Sequence, residues 1–154
     1  MRVEVTQLVE ACPLDEAGTA RIVAAALSLG GREGLCVGVV FAADELMVEL
    51  HGEYLDDPTP TDVITFDLGE PEAPGGPTDV VTAELYVGVE EAARVAALRG
   101  VAWERELALY VVHGVLHLCG FDDHDDADSA AMRAAEAAVM ETLGYPPDVL
   151  PHHS

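Results

Sequence analysis

Lysine is absent from the sequence: all seven basic residues are arginine, against 29 acidic ones, for a formal charge of −22 over 154 residues. A molecule so one-sided repels polyanions on average, so any nucleic-acid binding has to run through a local arginine patch or a bound cation. The acid excess otherwise reads as the solvated surface of an alanine-rich chain. Cysteine is scarce too. Cys12, Cys36 and Cys119 are odd in number, far apart and in no CxxC pair, which excludes a disulfide framework and a zinc ribbon and predicts buried thiols. No uninterrupted apolar run approaches the roughly 18 residues of a membrane span. The first residues, MRVEVTQLVEACP, alternate as a strand does where a signal peptide has an apolar block, so a cytoplasmic protein without membrane association is expected.

What is present is enough for a core: half of the residues are hydrophobic, and the length suits one domain over residues 1–150 with a loose tail at 151–154. Val3, Val5 and Leu8 read as a first strand. Asp15 and Glu16 open a helix that runs to Leu29 and is stopped by Gly30 and Gly31. Leu35 to Ala42 is a second strand, and Asp44 caps a helix through about Tyr54. Val63 to Phe66 and Asp79 to Val89 are two further strands, separated by the Gly/Pro loop from Gly69 to Thr78. Helices follow over Glu90 to Arg99 and Trp103 to Cys119. A last helix, capped by Asp128 or Ser129, ends at Leu143 before Gly144. The pattern predicts an α+β fold with about four strands in one mixed sheet and about five helices, packed around a buried central helix.

That central helix carries the chemistry. From Leu107 to Cys119 every residue is apolar, aromatic, glycine or histidine, so the helix has no solvent face and has to be surrounded by protein. His113 and His117, four apart, stack on one side of it, about 6 Å apart along the axis. Unpartnered imidazoles in such a place cost about 1–3 kcal/mol each. Two of them at this spacing converge on one ion. Gly120 can adopt the left-handed conformation that ends a helix and folds the chain back over its last turn, which brings Asp123 or His124 within reach as a third ligand. Three ligands and an open position make a zinc site of the catalytic kind, whereas a closed structural site needs a fourth ligand, and Cys119 lies on another face of the helix.

The stretch HGVLHLCGFDDH resembles the H-G-x-L-H-L-x-G-[Y/F]-D-H signature of the YbeY family of bacterial endoribonucleases. The similarity extends to PTDVITF at Pro60 to Phe66, to TAELYVGVEEA at Thr82 to Ala92 and to WERELALYVVHG before the ligands. It implies a metal-dependent, single-strand-specific endoribonuclease acting in 16S rRNA 3′-end maturation and ribosome quality control. It also implies one Zn2+ or another divalent ion, with rRNA in the small ribosomal subunit as partner and ribosomal proteins or a GTPase as further ones. His113 and His117 match the first two ligands; the family's third histidine falls on Asp123, so register favours Asp123 and ligand chemistry His124. With His113 and His117, Asp62 of the PTDV segment is a candidate catalytic residue. Thr61, Thr65 and Arg105 are candidate substrate contacts, with turn chemistry the plainer reading for Thr61, Asp62 and Thr65. The chain departs from the family at Tyr54-Leu55, followed by Asp56 and Asp57, where a Tyr-Arg pair is expected; Arg94, Arg99 and Arg105 are the arginines left to substitute.

Two other readings remain. H-x3-H with a later third ligand also occurs in zincin-like metalloproteases, but there a glutamate follows the first histidine. Here Gly114 follows, so Glu106 or Glu84 would have to serve as the base. A non-catalytic, metal-stabilised ribosome-associated protein is the second.

Overall fold

In the computed structural model, which describes residues 2–55, 62–67, 83–121 and 125–145, the oily stretch forms helix α4, Trp103–Leu118. The strands are β1 (Arg2–Gln7), β2 (Cys36–Ala42), β3 (Val63–Asp67) and β4 (Ala83–Gly88). The other helices are α1 (Glu16–Gly30), α2 (Asp44–Leu55), α3 (Val89–Arg99) and α5 (Asp126–Leu143). One side of α4 lies on β3 and β4, while α1, α3 and α5 pack around the rest, so residues Arg105 to Leu116 are all buried. The fold is α+β, with a four-stranded mixed sheet and five helices, as the periodicities predict.

The sheet order is β1-β2-β4-β3, with β1, β2 and β4 parallel and β3 antiparallel to β4. All seven residues of β2 are buried, the continuous apolar run that a strand paired on both sides and covered on both faces requires. Edge strand β1 instead alternates half-buried Val3 and Val5 with exposed Glu4 and Thr6. In β4, Ala83, Leu85 and Val87 belong to the main core, whereas Tyr86 lies on the other face, with Phe66 and Ile64 of β3 and Met47 of α2. No helix among the described residues is long and apolar enough to cross a membrane.

Several boundaries differ from the sequence reading. The last helix is capped by Asp125, three residues before Asp128, and starts at Asp126: the Asp125 carboxylate accepts from the Asp128 N–H at 2.8 Å. Asp44 is the first residue of α2 and does not cap it through its side chain; its carboxylate receives Arg94 at 2.6 and 2.9 Å. β4 starts at Ala83, since residues 79–82 lie outside the described set, as does the tail at 151–154. Of the cysteines only Cys36 is buried; Cys12 and Cys119 are half-buried, and burial pushes both thiols above their ordinary pKa. Gly31, with φ of 78°, is the C-cap of α1. Gly30 serves the packing instead. A β-carbon there would collide with the Cys119 side chain, so its bareness lets α1 pass the end of α4.

Candidate metal centre

His113 and His117 occupy the last turns of α4, on the same side by their spacing of four. Their Nε2 atoms face one another at 3.0 Å, with ring planes at 85° and centroids 4.5 Å apart. Two nitrogens on a tetrahedral zinc with bonds of about 2.0–2.1 Å stand about 3.3 Å apart, so the pair fits such an ion with a shift of a few tenths of an ångström. Behind His113 sits Glu136 of α5, its Oε2 2.5 Å from His113 Nδ1, both side chains almost fully enclosed. Where the carboxylate accepts, Nδ1 carries the proton and the Nε2 lone pair is the one turned to His117. Asp123, His124 and Thr61 lie outside the described residues, and among the described residues no third His, Cys, Asp or Glu completes a set.

The end of α4 is held from outside. Gly120 takes φ of 101°, its N–H bonding to the His117 carbonyl while the Phe121 N–H bonds to that of Leu116, so the chain turns back after the second histidine as the glycine predicts. Arg32 Nη1 donates to the Leu118 carbonyl at 2.6 Å, which satisfies an orphan acceptor and sets a cation at the negative end of the helix. Cys119 Sγ lies against Gly30 of α1.

Gly114 seats the helix on the sheet: a β-carbon there would approach Leu85 Cδ2 to 2.9 Å and Val63 Cγ2 to 3.0 Å. In Gly114→Ala the helix has to lift from β3 and β4 or displace those methyls. Overpacking of this kind costs about 1–3 kcal/mol, and the neighbouring imidazoles move with the helix. A lower urea midpoint together with weaker Co2+ binding is the expected result. A variant that keeps both would show that the contact is slack.

Trp103 Nε1 donates to the Val89 carbonyl at 3.0 Å, which places the start of α4 at the end of β4. The helix therefore runs back along β4 and in the direction of β3. Asp62, just before β3, accepts from the Val63 N–H at 2.8 Å through its carboxylate, and its carbonyl takes the Gly88 N–H at 2.8 Å, extending the pairing of β3 with β4. Burial first, then the charges of Glu106, Asp62 and Glu91, raise the Tyr110 hydroxyl well above the ordinary tyrosine range. Tyr110 lies one turn before His113, and it stays protonated at any physiological pH. Thr65 is half-buried on the same side of β3 as Val63 and two residues further on, in the direction of His117.

The arginines are placed elsewhere. Arg105 is buried in the first turn of α4, about 12 Å along the axis from His113, and the structure does not bring it to the pair. Arg94 is engaged by Asp44 and Glu91. Arg99 is engaged by fully buried Glu106, with Nη1 at 3.0 and 3.3 Å from its two oxygens. That ion pair also removes Glu106 as a base for peptide hydrolysis, and Glu84 lies on the other face of β4 from Leu85 and α4. Glu136 is the residue against the histidine pair that sequence reading misses. Its signal is an acid at the spacing of the buried stripe Met132, Ala135, Val139 and Met140, where an amphipathic helix should be apolar.

A family model described as endoribonuclease YbeY matches residues 9–144. The endoribonuclease YbeY of Micrococcus luteus is 39% identical over 130 residues, 82% of this chain and 82% of its own length. That of Porphyromonas gingivalis is 38% identical over 120 residues, 73% of this chain and 75% of its own. The Carboxydothermus hydrogenoformans enzyme of the same name is 32% identical over 145 residues, 92% and 96% of the two chains. Among solved structures, the solution structure of TM1509 from Thermotoga maritima shares the fold, with a TM-score of 0.59 at 22% identity, over 92% of this chain and 88% of that one. A match that runs from just past β1 to Gly144, the cap of α5, takes in every element that holds the histidine pair, and the chain therefore belongs to the endoribonuclease YbeY family.

Proposed function

We propose that this endoribonuclease is metal-dependent and cuts single-stranded RNA in the cytoplasm, in maturation of the 16S rRNA 3′ end and in quality control of the small ribosomal subunit. The observation that carries this reading is the approach of two Nε2 atoms to 3.0 Å inside an otherwise dry helix. Charge supports it as well: with a formal charge of −22, and with Arg94 and Arg99 engaged by carboxylates, a polyanionic substrate needs a cation at the point of cleavage. His113 and His117 would hold that ion, Zn2+ by preference for imidazole and an open tetrahedral site, and Asp123 would complete the set by its register with the family signature. A divalent ion there supplies Lewis acidity and a water acidified toward a pKa of about 7.

The chain's own residues would do the positioning. Thr65 offers a hydroxyl on the α4 side of β3, and Asp62 keeps one end of that strand fixed through its two backbone contacts. Asp62, just before that strand, stands where a ribose or phosphate of the substrate can meet it, and Thr61, its neighbour in sequence, would be a further contact. Ribosomal proteins or a GTPase would bring the subunit to the enzyme.

The direct test is incubation of the purified, metal-replete protein with single-stranded and fully paired RNA of one length. Cleavage confined to the single strand, and lost on chelation, is expected. Intact RNA would favour a metal-stabilised protein that binds the ribosome without turnover. The third ligand is decided by two variants: Asp123→Ala should weaken Zn2+ binding by more than the about 10–100-fold typical of a residue one step removed from the metal, while His124→Ala changes it little. The reverse order would assign His124.

A further inference from the structure

Glu136 poses a problem that packing alone does not solve. It lies on the core side of α5 between Met132 and Met140, only 4% exposed, and its neighbours on that stripe are alanine, valine and methionine. An apolar residue of the same size would avoid the desolvation cost of a buried carboxylate. Of the described residues, the one that bonds this carboxylate is His113, at Nδ1, the nitrogen that faces away from His117.

We infer that Glu136 is a positioning residue for the ion: it fixes the tautomer and rotation of His113 so that the Nε2 lone pair faces His117, and it raises the basicity of that nitrogen. An imidazole in a helix can rotate about its side-chain bonds, and a neutral ring can carry its proton on either nitrogen. A carboxylate acceptor at Nδ1 removes both freedoms, because only the Nδ1–H form turned toward Glu136 makes the bond. The arrangement also ties ion affinity to the seating of α5 on α4, since the two groups come from different helices. This assignment rests on the reading of the histidine pair as a metal site.

The experiment compares Glu136→Met and Glu136→Gln with the unaltered chain. Three quantities are measured: Co2+ and Zn2+ dissociation constants by competition with a chelator, the visible spectrum of the Co2+ form, and the melting temperature of the metal-free protein. Glu136→Met should weaken binding about 10–100-fold, as loss of a histidine's carboxylate partner does elsewhere, and alter the Co2+ spectrum. Glu136→Gln, whose amide oxygen still accepts from Nδ1–H, should fall between Met and Glu. The metal-free Met variant should melt no lower than the unaltered chain, a result that a merely structural role would not produce. Unchanged affinity and spectrum in Glu136→Met would overturn the assignment while leaving the metal site standing. Failure of the unaltered chain to bind either ion would overturn both. Should the Met variant not fold, that outcome assigns Glu136 a structural role unless Glu136→Gln, folded, shows the intermediate affinity.

Discussion

Replacing His117 with alanine should reduce RNA cleavage by well over 100-fold while leaving the fold in place. The expected loss exceeds the about 10–100-fold seen for a partner one step from the metal, because in the proposed site His117 supplies one of the donors itself. Its side chain is half-buried at the last turn of α4, and the end of that helix is held independently by Arg32 on the Leu118 carbonyl and by the turn at Gly120. The matching substitution at the other proposed ligand has a different signature. His113→Ala leaves the Glu136 carboxylate enclosed without its donor, and a buried charged group left unsatisfied costs more than the about 1–3 kcal/mol of a neutral one. Both variants should be inactive, but only His113→Ala should melt markedly lower. Initial rates on a single-stranded oligonucleotide, read beside thermal melts, separate the two. A His117→Ala protein that retained most of its rate would remove the histidine pair from the reaction.

How far the sequence discloses this site depends on how local each feature is. His113, Gly114 and His117 belong to one helix, and their spacing alone puts the imidazoles on one face; the glycine at 120 announces the turn beyond it. Glu136 shows at that level only as an acid on an apolar stripe, because its partner is 23 residues away on another helix and only the packing of α5 on α4 brings them together. Gly114 can be read from the sequence only as a missing base. Its positive role appears when β3 and β4 come up beneath it, and that contact depends on a strand order, β1-β2-β4-β3, which no local pattern specifies. The cap of α5 shows a different limit. The run from Asp122 to Asp128 offers several acids able to cap, and spacing cannot choose among them; the Asp125 carboxylate wins because it reaches the Asp128 N–H. Likewise Arg94, Arg99 and Arg105 look alike as arginines on helices, and only their neighbours show them tied down or enclosed.

Arg99→Ala should lower stability by about 3 kcal/mol, the lower end of the range for breaking a buried pair, since Glu106 keeps further contacts. For a chain of this size that corresponds to a melting temperature lower by about 6–12 °C. The reason lies in the position of Glu106, fully enclosed near the start of α4, where the Arg99 guanidinium at the end of α3 meets both carboxylate oxygens. Take the cation away and the carboxylate stays in a dry place. If desolvation is the cause, the double variant Arg99→Leu with Glu106→Leu should recover most of the loss, because two apolar residues of similar bulk leave no charge behind. If instead the arginine acts through its packed stem, the double variant recovers as well but Glu106→Leu alone is harmless. Glu106 lies seven residues before His113, about 10 Å along the helix, so Co2+ affinity measured well below the melting point should be retained in Arg99→Ala. A loss of affinity there would mean that the ion pair sets the rotation of the whole helix, and that both ends of α4 respond as one body.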